Sequence, residues 1–138
     1  MIVNLDLSSL EAAIQRLAEA LTALTEEPEN AFIRDAVIKR FEFTYELSHK
    51  MLRRFLEMSA ANPEVVEQMS FQDLIRTGSE QDLLRSDWER WHVWRQTRGI
   101  TSHTYNQEKA RQVATAVPEF LLEARHLFTQ LQRRTSSP

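Results

Sequence analysis

The stretch AFIRDAVIKRFEFTYELSHKMLRRFLEM, residues 31–58, decides the fold class. Within it Val37, Phe41, Tyr45, Ser48, Leu52 and Phe55 step by three and four, which stacks them along one face of a helix. Ile38, Leu47, Met51 and Leu56 broaden the stripe, and neither proline nor glycine interrupts it. At ~1.5 Å per residue this predicts a single helix on the order of 40 Å long. A stripe of that length needs cover from two or more other helices, so the expected fold is all-α.

The flanking sequence supplies those helices. Upstream, Leu10, Ile14, Leu17, Leu21 and Leu24 repeat at helical spacing, with Ser8 and Glu11 spaced as a capping box. TEEPEN breaks that helix and offers Asn30 as the N-cap of the long one. Downstream, SAANPE ends the long helix, because proline disfavours helical geometry in the residue before it. Ser70 is placed to cap a short helix through Thr77, with Gly78 as a left-handed closing residue. Ser86 and Glu89 repeat the capping-box spacing ahead of a helix bearing Trp88, Trp91 and Trp94. Ala110, Val113, Val117, Leu121, Ala124, Phe128 and Leu131 define the last helix, which Pro118 should kink or restart. Together these predict an up-and-down bundle of four to five helices, a single domain over residues 1–132, with a disordered tail at 133–138.

Composition agrees and narrows the function. Two glycines and four prolines in 138 residues are a vocabulary poor in turns. A net charge of −3 argues against coating nucleic acid electrostatically, while leaving room for a focused phosphate site. Without cysteine there is no disulfide and no thiolate nucleophile or metal ligand. No signal-peptide pattern and no membrane-spanning apolar run stand out, so the expected location is the cytoplasm. Glycine patterns that cradle nucleotide phosphates are missing as well, and no cofactor is expected.

His49 and His126 each stand alone on helical segments and His92 sits among the tryptophans, which predicts structural or surface roles and no metal site. Glu46 and Lys50 have the i, i+4 order of an exposed ion pair. The tryptophans suit either the bundle core or a dimer face. RGITSHTYN, residues 98–106, reads on spacing alone as a connection: Gly99 closes the tryptophan helix, and Ser102 or Thr104 caps the next.

A wider pattern changes that reading. RDAVIKRFEFTYELSHKMLRRFLE (34–57) and TSHTYN (101–106), in this order and separation, resemble the HepT-like group of HEPN domains, also described as the nucleotidyltransferase substrate-binding family. The resemblance spans roughly residues 8–130. It implies a small helical bundle that forms a homodimer and, in many members, acts as a metal-independent ribonuclease through an R-x4-6-H motif. Here that motif falls on Arg98 and His103, and the longer R-x4-H-x-Y form places Tyr105 last. The resemblance further implies a toxin paired with a minimal nucleotidyltransferase antitoxin that adenylylates the tyrosine. The alternative it carries is a non-catalytic subunit presenting a substrate or nucleotide to such a transferase. One departure stands out: Gly99 follows Arg98 where these motifs commonly have a polar residue, often Asn.

The residue types suit the implied chemistry. Metal-free RNA cleavage moves a proton from the 2′-hydroxyl and another to the leaving 5′-oxygen, and imidazole titrates in the right range for either. A guanidinium stays charged and matches phosphate in a fork, so Arg98 is the expected phosphate clamp and His103 the acid or base.

Overall fold

The computed structural model describes residues 4–103 and 105–135. Its order is α1 (Ser8–Glu26), α2 (Ala31–Ser59), α3 (Pro63–Glu67), α4 (Phe71–Glu80), α5 (Trp88–Gly99), a 3-10 turn (Thr101–His103) and α6 (Gln107–Arg134). The fold is all-α, as residues 31–58 require. The five expected helices are present, and the five-residue α3 is an addition. No helix among the described residues is long and apolar enough to cross a membrane.

Helix α2 is the spine, packed against α1 on one side and α6 on another, while α1 and α6 also meet. Val37, Phe41, Leu52 and Leu10, Leu17, Val113, Val117, Phe120 are fully buried in the shared core. An aromatic cluster ties α5 to the spine. Trp91 and Trp94 stack edge to face at 5.3 Å, and both meet Phe120 of α6 edge to face, at 5.8 and 5.3 Å. Tyr45 of α2 lies 6.0 Å from Trp91. Trp91 and Trp94 are thus core residues, at most 1% exposed, and leave only half-buried Trp88 near the surface.

Local signals were right in kind and sometimes displaced. Asn30 caps α2 by accepting from the N–H groups of Phe32 and Ile33, and Ser70 caps α4 through Asp73. The Ser8–Glu11 box does not form: Ser8 is already helical, and its hydroxyl donates to Asp6 at 2.7 Å. Asp87 rather than Ser86 caps α5, accepting from Arg90 N–H. Gly78 does not close α4, which continues to Glu80, and neither glycine has a positive φ. Gly78 instead permits close packing, since a Cβ there would sit 3.1 Å from Leu52 and from Leu84. The left-handed residue of that connection is Asp82, φ 60°, whose carbonyl lies 3.1 Å from His126 Nε2. Helix α6 does not restart at exposed Pro118. It runs through Arg133 and Arg134, the start of the expected tail, while residues 136–138 lie outside the described residues.

Glu123 is a fully buried carboxylate on α6, accepting the Arg85 N–H at 2.7 Å. Burial holds its carboxyl above the usual glutamate range, outweighing its hydrogen bonds and the nearby His126 and Arg85 charges. A carboxyl that is harder to ionise folded than unfolded subtracts stability as pH rises from the unfolded value toward the folded one. Glu123→Gln removes that penalty, so its stability relative to wild type is expected to rise between pH 4 and pH 7 in urea titrations. A pH-independent difference contradicts this account.

Candidate functional site

Helix α5 ends on the motif. Arg98 lies in its last turn, Gly99 is its final residue, and the chain continues through Ile100 into the 3-10 turn that ends at His103. Gly99 supplies no left-handed turn, and a Cβ there would meet nothing within 4 Å. The backbone therefore does not demand glycine at this position. Asn106 caps α6, accepting from Glu108 and Lys109 N–H groups, so the cap is not Ser102. Thr104, the other expected cap, lies outside the described residues.

Arg98 is held rather than loose. Its Nε donates to Glu46 Oε1 at 3.2 Å across from α2, and its Nη1 donates to Thr101 Oγ1 at 3.1 Å. Thr101 is buried and its hydroxyl donates back to the Arg98 carbonyl at 2.8 Å. About a third of the Arg98 side chain stays exposed. A guanidinium held at Nε and Nη1 while about a third of its side chain stays exposed is positioned to meet an anion.

The expected Glu46–Lys50 pair gives way to this arrangement. Glu46 Oε1 takes Arg98 and Oε2 lies 3.1 Å from His49 Nε2, so one carboxylate joins the two side chains. Burial holds the His49 ring below the usual histidine range against the pull of Glu46, and the ring packs edge to face on Tyr45 and Phe71. His49 is therefore a structural group behind Glu46. His92 lies against Trp88 at 5.2 Å.

His103 and Tyr105 share one exposed surface. Their ring centroids are 6.5 Å apart, and Tyr105 is 87% exposed. Such a phenol contributes almost nothing to packing within the chain and is open to a modifying enzyme or a partner. Both residues follow Arg98 directly through the 3-10 turn, so all three lie at one end of α5. Among the described residues no group of three His, Asp or Glu side chains is arranged to hold a metal ion.

Sequence reasoning missed Glu46, whose partner lies 52 residues away. It also missed an open groove of about 680 Å³ between α1 and α2, to which Glu46, Lys50 and Arg98 contribute.

The family described as "Nucleotidyltransferase substrate binding protein like" matches residues 5–133. The chain is 34% identical to "Probable ribonuclease HepT" of Haemophilus influenzae, over 95% of this chain and 94% of that one. Its fold superposes on that of HI0074 from Haemophilus influenzae, reported to reveal the fold of a substrate binding domain of a nucleotidyltransferase. The TM-score is 0.85 at 32% identity, covering 92% of this chain and 99% of the other. A Thermus thermophilus protein of known crystal structure matches with a TM-score of 0.63 at 29% identity, over 83% and 98% of the two chains. The long α2 block, the closing motif and the bundle that joins them thus carry one conclusion: this chain belongs to the nucleotidyltransferase substrate binding protein like family.

Proposed function

We propose that this protein is a metal-independent endoribonuclease toxin, restrained by a cognate minimal nucleotidyltransferase that adenylylates Tyr105. The observation that carries the reading is the fixed, part-exposed Arg98 guanidinium at the end of α5, with exposed His103 five residues on at the end of the 3-10 turn. The likeness to a probable ribonuclease supports it. Arg98 clamps the phosphate and takes up charge developing on its oxygens, and His103 transfers the proton.

One imidazole serves an acid and a base poorly. In a homodimer whose two-fold axis passes near α5, each motif meets its copy, and the acid and base come from different chains. Tyr105 stands two residues from His103. An adenylyl group on its hydroxyl places a negative phosphate beside the site where RNA phosphate binds, so inhibition is the expected sign. The second reading, a non-catalytic substrate-binding subunit of a nucleotidyltransferase complex, is favoured by the likeness to HI0074.

Incubation of the purified protein with RNA in EDTA decides between them. Cleavage that disappears in His103→Ala supports the ribonuclease, and its absence from the wild type leaves the binding subunit. Mass spectrometry after incubation with the cognate transferase and ATP is expected to show one adenylate on wild type and none on Tyr105→Phe.

A further inference from the structure

We propose that the groove between α1 and α2 is a subsite for single-stranded RNA, stacking a base on Phe43 and holding flanking phosphates on Arg16, Arg40 and Lys50. The inference rests on the ribonuclease reading and deepens it, because Arg98 belongs to both the motif and the groove wall. A strand whose scissile phosphate sits on Arg98 continues into this groove.

Three observations converge. The groove's volume of about 680 Å³ falls within the range of small-ligand sites and accommodates a nucleotide. Phe43 lines it and is 61% exposed, although α2 buries its other central aromatics, Phe41 and Tyr45. An exposed ring among cations is the pairing with which proteins hold single strands, bases on the π-face and phosphates on the charges.

The charges point the same way. Lys39 is engaged by Glu42, and Arg98 by Glu46. Arg40 donates Nη1 to the Arg16 carbonyl at 2.7 Å, but Arg16, Arg40 and Lys50 have no carboxylate within salt-bridge distance among the described residues, in a chain whose net charge is −3. This local excess runs against the sign of the whole molecule and complements a polyanion. A second copy of the chain brings the same positive excess to this face, whereas RNA brings the opposite charge.

The test uses the full-length His103→Ala protein, which binds without cleaving, and fluorescein-labelled uridine hexamers with or without abasic sites. Anisotropy is expected to show Phe43→Ala weakening the normal hexamer about tenfold, with little effect on the abasic one. Arg16→Glu with Lys50→Glu is expected to weaken both and to lower the salt slope by about one to two. Affinities within twofold of the parent overturn the subsite. So does Phe43→Ala halving the mass by light scattering at unchanged affinity, which assigns the face to self-association. If wild type proves inert on RNA while these variants still lose affinity, the subsite stands and the ribonuclease reading falls. If wild type cleaves and Phe43→Ala leaves KM unchanged, the reverse holds.

Discussion

His103→Ala is expected to slow RNA cleavage in EDTA by about 10²–10⁴-fold, the range for losing a positioned acid or base, while leaving the unfolding transition where it was. The second half of that expectation follows from exposure. His103 ends a 3-10 turn held by backbone bonds, His103 N–H to the Ile100 carbonyl and Asn106 N–H to the His103 carbonyl. Its ring meets Tyr105 only at 6.5 Å. Exposed substitutions of this kind usually change stability by no more than ~0.5 kcal/mol. Single-turnover rates and thermal melts on the same preparations separate chemistry from folding. A residual rate within threefold of wild type removes His103 from the reaction.

Arg98→Ala is expected to lose a comparable factor, with a different accompaniment. It frees Glu46, leaving a carboxylate beside the position where substrate phosphate must approach. Arg98→Lys restores the charge without the fork or the Nε bond, and so falls between the two. Glu46→Gln keeps an acceptor for Nε and loses the least. That order, Ala below Lys below Gln, is what a clamped phosphate ligand requires. An incidental loop arginine yields no order.

Legibility followed sequence distance. The α2 stripe, Asn30 and Ser70 were readable because each signal lies within a few residues of its effect. Ser86 and Asp87 are adjacent competent caps, and spacing alone favoured the wrong one. Ser8 failed for a related reason, since Asp6 two residues earlier takes its hydroxyl. Helix α3 carried an Asn62–Pro63 start, but five residues hold too little periodicity to register. Arg98 and His103 were found through family likeness, because R-x4-H is weak by itself. Glu46 was assigned to Lys50 because that partner is local. Its bond to Arg98 needs the end of α5 brought to α2, and the groove needs α1 beside α2. No window of sequence contains either relation.

The packing that makes those relations can be broken at one residue. Trp91→Ala is expected to cost about 3–5 kcal/mol, the range for emptying a buried large aromatic site. Trp91 is fully buried and touches rings from four directions: Trp94, Phe120, Tyr45 and Phe71. These come from α5, α6, α2 and α4, so no single side chain can move to fill the void. Against a typical total of ~5–15 kcal/mol, that loss leaves a marginal protein. Trp91→Phe is expected to cost much less, because a ring remains to make edge contacts and because the Trp91 indole N–H has no acceptor among the described residues. A buried donor without a partner costs ~1–3 kcal/mol, and phenylalanine removes that burden while giving up volume. Urea titrations followed by circular dichroism measure both variants without relying on the tryptophan being replaced. The consequence reaches the site, since Arg98 lies seven residues, about two turns, beyond Trp91 on the same helix. If α5 is what holds Arg98 to Glu46, Trp91→Ala loses cleavage in urea well below its unfolding midpoint, and Trp91→Phe does not. A Trp91→Ala protein less than about 1 kcal/mol below wild type, well short of that range, shows that α5 is held by something other than this cluster.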